Sequence, residues 1–374
     1  MKSAYNFIQR FSRLIPPGIR TYIRSKVSFK DFDIARRIEA NPFRDMPEAT
    51  YAESEYCFGI LEDTQQYHKY YIAACREMKI SYRVLSILEN DWIDTLKKCN
   101  CDAYLVWPSV MPTSAKEAFD YRLNILEDDM GKVVYPQWKA CWLYEHKPRL
   151  RDWLASHGLP HPKTWVFYEK DQALSFALES DFPVVVKTAT GASASGISIV
   201  HNHRQLVKAI NLAFGRGLRP RSFDPNDRQW GYVFIQKYYP NVKEWRIVRI
   251  GDSFFGYRKE PGATGLHSAS NAWSWLDPPV ALLDLARQVT EIGGFKSMDV
   301  DIFLTDDNLL FVNECQTVFG CTTPAIQMKV GDKPARYIYE NDQWQLEEGD
   351  FCDNHMCNLR IEYLIKQLRE KNKV

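Results

Sequence analysis

The chain has 374 residues, 45% hydrophobic and 25% charged, with a formal net charge of +1. That length supports two or three globular domains, and the near-neutral balance gives no global argument for nucleic acid or for an acidic substrate. No apolar run approaches the roughly 18 residues of a membrane-spanning helix, and no signal-peptide core is present. Nine scattered cysteines without framework spacing read as reduced thiols, so a cytoplasmic location is expected. Cys99-Asn-Cys101 and Cys352 to Cys357 lack zinc-finger spacing.

The first thirty residues carry Lys2, Arg10, Arg13, Arg20, Arg24, Lys26 and Lys30 and no acid, with Phe7, Ile8, Phe11, Leu14 and Ile15 at helical spacing. This basic amphipathic segment, residues 1–55 with its linker, suits packing on the body of the protein, a homodimer contact or peripheral contact with an anionic membrane. From residue 56 to about 140, strands at Tyr56–Leu61, Tyr82–Ile87 and Ala103–Trp107 alternate with helices at Gln65–Met78 and Trp92–Lys98, which predicts a small parallel α/β domain. No Gly-x-Gly-x-x-Gly follows the first strand, so a dinucleotide role is unsupported. Residues 141–374 form the second domain. A helix spans Lys147–His157 and ends before Gly158 and Pro160. Strands follow at Thr164–Phe167, Pro183–Lys187, Gly231–Tyr238, Glu244–Ile250 and Ser253–Lys259, and a helix at Pro279–Gly293. The tail after Gly320 reads as partly helical.

The most informative stretch is Met298 to Gln316, two strands about a turn at Thr305-Asp-Asp-Asn308. With Asp306-Asp307 as the loop, Asp299, Asp301, Glu314 and Gln316 share one face together with Phe303, Leu310 and Val312. Asp301 and Glu314 then become diagonal neighbours, roughly 7–8 Å apart. Such carboxylates either stand on a wet surface or hold a cation, and an all-oxygen ligand set favours Mg²⁺ or Mn²⁺.

Four other segments bear on that choice. Lys187 ends a buried strand that runs into Thr188-Ala-Thr-Gly-Ala-Ser-Ala-Ser-Gly196, small residues suited to closing backbone amides over phosphate. Tyr232 to Pro240 is either an ordinary strand or one whose end offers backbone groups and aromatics to a flat base. With Gly251-Asp252 as a tight turn, Glu244 falls opposite Lys259 and Arg246 opposite Tyr257. That is a plain cross-strand pair or a clamp for a carboxylate or phosphoryl group. Lys147 heads its helix, and His267 to Asn271 is a small, polar stretch suited to a mobile acceptor loop.

Taken in this order, the segments resemble the ATP-grasp superfamily over residues 140–322, most closely its carboxylate–amine ligases such as glutathione synthetase, D-alanine–D-alanine ligase and glutamate ligases. The resemblance implies an α/β (α+β) fold with two α+β subdomains holding ATP, preceded by the small α/β domain. It implies that Lys147 and Lys187 touch ATP phosphates, that Ser193, Ser195 and Gly196 belong to the loop covering them, and that Gln236, Lys237, Tyr238 and Tyr239 form the adenine hinge. Glu244 matches the acid near the ribose. Arg246, Arg258 and Lys259 match the basic groups at the reacting phosphate, and Asp301, Glu314 and Gln316 the Mg²⁺ ligands. The chain departs from the family pattern at Gln316 (usually Asn), at Lys237 (often an acid), at Glu260 (an arginine in some members) and at Thr317-Val-Phe-Gly320.

The activity implied is an ATP-dependent ligase joining a small-molecule carboxylate to an amine through an acyl phosphate. The carboxylate is an amino-acid type or a sugar acid, the latter including a glycan-linked acceptor. A kinase acting on a sugar or polyol hydroxyl and a non-catalytic ATP-binding protein are the alternatives.

Overall fold

The computed structural model describes residues 30–190, 196–219, 227–261, 273–274, 276–319, 329–330 and 333–371. The basic segment before residue 30, Ser193, Ser195 and the His267–Asn271 stretch lie outside them. Among the described residues the chain forms three sheets.

In the first sheet, β1 (Glu48–Ala49) runs antiparallel along the edge of β3 (Ser81–Leu85), and β2 (Cys57–Leu61), β3, β4 (Ala103–Val106) and β5 (Val134–Tyr135) are parallel, in the order β1-β3-β2-β4-β5. The continuous apolar runs of β2 and β4 are explained by burial on both faces. Helices Lys69–Glu77 and Trp92–Lys98 form the crossovers. The first starts four residues later than its apolar pattern predicts. The buried Asp63 carboxylate accepts the amide hydrogens of Gln65 (2.8 Å) and His68 (2.7 Å), holding a turn in place of the first helical turn.

The second sheet is antiparallel, in the order β6 (Thr164–Phe167), β9 (Val233–Lys237), β7 (Val184–Lys187), β8 (Ile197–Val200). Helices Lys170–Glu179 and His203–Phe214 bury Ala173, Ala177, Leu206 and Ile210 against Val184, Val186, Val233 and Ile235. The third sheet runs β14 (Leu310–Gln316), β13 (Ser297–Leu304), β10 (Lys243–Ile250), β11 (Ser253–Lys259), β16 (Lys333–Glu340), β15 (Lys329–Val330). Here β12 (Trp273–Ser274) pairs with β11, and β17 (Gln343–Glu348) with β16. One of its faces is apolar. Trp245, Ile247, Met298, Val300, Ile302 and Val312 pack on Leu282, Leu283, Ala286 and Val289 of helix Val280–Gly293.

Two features of the tail differ from the sequence expectation. The β16–β17 hairpin is extended, because alternating Tyr337 and Tyr339 meet Trp344 across it. The C-terminal helix Asp353–Lys371 returns to the first sheet and buries Cys357, Ile361, Leu364 and Leu368 with Tyr71, Ile72 and Cys75. Residues 56–140 and the end of the chain therefore share one core. The Gly251 turn also fixes this helix: a Cβ there would sit 2.1 Å from the Tyr363 ring, and the backbone has φ +58°, so glycine is required twice over.

Ile302 is fully buried in the third-sheet core, whereas Leu309 in the hairpin loop is 54% exposed. Ile302→Ala is expected to cost about 2–5 kcal/mol in urea unfolding, and Leu309→Ala no more than about 0.5 kcal/mol.

Candidate active site

The polar face of the third sheet is set by strand register. Asp301 stands directly opposite Glu314, and Asp299 opposite Gln316. The sequence placed Asp301 and Glu314 on a diagonal, and the difference has two causes. The loop is longer than two residues: Leu304 pairs with Leu310, the Asn308 amide donates to the Thr305 carbonyl at 3.0 Å, and Asn308 takes a positive φ. A β-bulge then inserts Asn313, so that Ile302 pairs with Val312 while Asp301 pairs with Glu314. The bulge also reverses the side-chain parity of the outer half of β14. Leu310 and Val312, expected beside the acids, turn to the core face, and Phe311 joins Phe303 on the acidic face.

β10 lies between β11 and β13 with Glu244 opposite Lys259, Arg246 opposite Tyr257, and Arg246 also opposite Asp301. Glu244, Arg246, Tyr257, Lys259, Asp299, Asp301, Glu314 and Gln316 therefore occupy one face. Arg246 donates to both Asp301 oxygens, Nε to Oδ1 and Nη2 to Oδ2, each at 2.9 Å. Lys259 donates to Glu244 Oε1 at 2.9 Å and also to Asp301. Burial pushes the Asp301 carboxyl upward, but Arg246 and Lys259 outweigh it and hold the group below the usual range. Burial and Arg246 both disfavour the Lys259 charge, yet Asp301 and Glu244 keep it above the ordinary lysine value. Asp299 differs. Its Oδ2 is 2.7 Å from Arg246 Nε, but that single N–H is given to Asp301, and neither Asp299 oxygen has a hydrogen-bond partner. Burial raises its pKa well above the ordinary value. Arg258 stands on the opposite strand face from Lys259, opposite Trp245, and donates to Glu260 at 2.7 Å.

Facing these groups is the β7–β9 end of the second sheet, and between the sheets lies a cleft of about 520 Å³. Its lining includes Val185, Lys187, Gln236, Tyr239, Lys259 and Asn313, with Ile199, Lys237, Tyr238, Glu244 and Phe303. Gln236 is buried and turns its amide to Thr164 (3.4 Å), while the Lys237 amide donates to the Lys163 carbonyl (2.8 Å). Tyr239 packs on Phe311 with ring centroids 5.1 Å apart. Lys187 donates to Asn313 Oδ1 at 3.2 Å, and Lys147 lies 3.5 Å from Glu314 Oε1. Lys147 is aimed from a helix whose first turn is capped by His146, whose Nδ1 accepts the Arg149 amide hydrogen at 3.3 Å. Burial, then the charge of Lys147, lowers the Lys187 pKa to about 8. Gly196 ends the small-residue loop at φ +80°, and the Thr188 amide donates to its carbonyl at 2.9 Å. A Cβ there would meet Thr188 Oγ1 at 2.1 Å. A separate hollow of about 540 Å³ along Ala281, Leu285 and Gln288 contains none of these groups.

The donors suit a hard cation: Asp301, Glu314 and Gln316 present only oxygen ligands, and Glu314 Oε1 is buried without a hydrogen-bond partner. Among the described residues no three acidic, histidine or cysteine groups converge as a ready cage, since Asp301 is turned toward Arg246 and Lys259. Asn313 is the site residue that sequence reasoning missed. It is an amide in a strand of otherwise ordinary alternation, and only the bulge brings it into the cleft.

Residues 151–253 match the family model described as the carbamoyl-phosphate synthase L chain, ATP binding domain. The D-alanine–D-alanine ligase of Tolumonas auensis is 25% identical over 207 residues, 49% of this chain and 58% of that protein. The alpha-aminoadipate–LysW ligase of Saccharolobus solfataricus is 28% identical over 170 residues, 44% of this chain and 58% of that one. The chain thus spans little more than half the length of these relatives. Among solved structures, D-alanine–D-alanine ligase from Bacillus anthracis superposes with a TM-score of 0.55 at 16% identity, covering 84% of this chain and 99% of that one. The biotin carboxylase domain of Hydrogenobacter thermophilus 2-oxoglutarate carboxylase, solved with MgADP, gives 0.55 at 15% identity, covering 72% and 65%. No helix among the described residues is long and apolar enough to cross a membrane.

Were Lys187 to meet phosphate oxygens, they would favour its charged form, so above pH of about 8 binding would take up a proton and affinity for a nucleoside triphosphate would fall as pH rises. Calorimetric titration with a non-hydrolysable ATP analogue in EDTA between pH 6.5 and 9.5 is expected to show this decline, and Lys187→Arg to flatten it.

Proposed function

We propose that the chain, which has an ATP-grasp fold and is similar in sequence to carboxylate–amine ligases, uses ATP to join a small-molecule carboxylate to an amine. The observation that carries this reading is the single sheet face on which Arg246, Lys259, Asp301 and Glu314 meet, next to a nucleotide-sized cleft that Glu244 and Lys259 of that face line.

In this reading Val185, Ile199 and Phe303 flank the adenine, and the backbone of Lys237 to Tyr239 reads its edge. Lys147 and Lys187 carry the phosphates. Asp301, Glu314 and Gln316 would hold Mg²⁺ or Mn²⁺, which supplies charge neutralisation on the β- and γ-phosphates. A carboxylate oxygen of the substrate attacks the γ-phosphorus, the bond to the β–γ bridging oxygen breaks, and ADP leaves with that electron pair. Arg246 and Lys259 stabilise the charge on the phosphoryl oxygens during transfer. The amine then attacks the acyl carbon, loses a proton and expels phosphate, which retains the substrate oxygen. No side-chain nucleophile takes part. Arg258, held by Glu260, lines the same cleft.

The test is incubation with ATP, Mg²⁺ and pools of amino acids, dicarboxylates and uronic acids, free or glycan-linked, each with and without amines. ADP and phosphate are expected in equal amounts only when acid and amine are both present, and hydroxylamine should trap the acyl group as a hydroxamate. A stable phosphorylated hydroxyl compound formed without any amine would instead mark a kinase. In the same assay Asp301→Asn and Glu314→Gln are expected to lower kcat on the order of a hundredfold, about 3 kcal/mol of transition-state stabilisation.

A further inference from the structure

Asp301 has two duties that compete. It is the fork acceptor for Arg246 and a partner of Lys259, and in the proposed function it is also a metal ligand. A carboxylate holding a bidentate guanidinium and an ammonium has its lone pairs committed. When Asp301 serves the cation, Arg246 needs another buried carboxyl group to accept from it, because an arginine left unpaired in this interior is strongly unfavourable.

Asp299 meets that need. It lies two residues along the same strand on the same face, is fully buried, and has neither oxygen hydrogen-bonded, yet its Oδ2 is already 2.7 Å from Arg246 Nε. Reaching it requires only that the guanidinium redirect its Nε–H. We propose that Asp299 is the alternate seat of Arg246: the guanidinium passes from Asp301 to Asp299 as Asp301 turns to the divalent cation. Arg246 thereby stays beside the phosphoryl group while its first partner is released. Asp299 is a positioning residue, touching neither nucleotide nor metal. This rests on the metal assignment made above.

The exchange predicts a coupling that a purely structural carboxylate would not produce. The quantity to measure is the gain in affinity for a non-hydrolysable ATP analogue when Mn²⁺ replaces EDTA, by calorimetry on the full chain, with the unliganded Tm as a folding control. Asp299→Asn is expected to reduce that gain by about tenfold or more, the scale typical of groups behind a metal ligand, because Arg246 stays on Asp301 and competes with Mn²⁺. Affinity in EDTA should not change. The double variant Asp299→Asn with Arg246→Met, which removes the competitor, should recover the gain. A wild-type gain that Asp299→Asn leaves intact overturns the exchange, as does a loss that the double variant fails to recover. If Asp299→Asn alone does not fold, Arg246→Met alone decides: a gain no larger than wild type contradicts competition at Asp301. Absence of any gain in the wild-type protein overturns the metal assignment itself, which is a separate result.

Discussion

Glu244, Arg246, Lys259, Asp299 and Asp301 lie together on one face of a central sheet, nearly all of them closed to solvent, and each is tolerable there because of the others. Breaking a buried ion pair by removing one partner typically costs about 3–5 kcal/mol, since the remaining charge has no water to turn to. Burying such a group stabilises the fold less than apolar residues of similar volume would. The pleat concentrates the charges on one face, while the alternate residues of the same strands, Trp245, Ile247, Val300 and Ile302, build the core against helix Val280–Gly293.

The same principle extends across the cleft. Lys187 rests on Asn313 and Lys147 on Glu314, so cations from the second sheet and from helix Lys147–Ser156 are matched by acceptors on β14. In the proposed function, phosphate or a divalent cation would take over each of these contacts. Lys187 is the least settled member, because burial lowers its pKa to about 8 and an amide is a weaker partner than a carboxylate. Its charge is thus responsive to an arriving phosphate.

Strand alternation made much of the site legible in the sequence. The pairings of Glu244 with Lys259 and Arg246 with Tyr257 follow from one tight turn at Gly251-Asp252 and are those the structure has. The β13–β14 pairing was harder, because the Asn313 bulge has no composition signal and shifts parity midway along a strand. It moved Val312 to the core and brought Asp301 face to face with Glu314. Arg258 was grouped with Lys259 through the family resemblance; its register opposite Trp245 puts it on the other strand face, and it still lines the cleft. The return of the C-terminal helix to the first sheet depends on contacts some 290 residues apart, Cys75 with Cys357 and Leu364 among them, which no local pattern encodes.

A crystal structure of the protein with Mg²⁺ and a non-hydrolysable ATP analogue tests the central claim most directly. The account predicts the phosphates on Lys147 and Lys187, with a Mg²⁺ ion at about 2.0–2.1 Å from oxygens of both Asp301 and Glu314. A nucleotide outside the cleft between the two sheets, or a metal ion that leaves Asp301 uncoordinated, would contradict it.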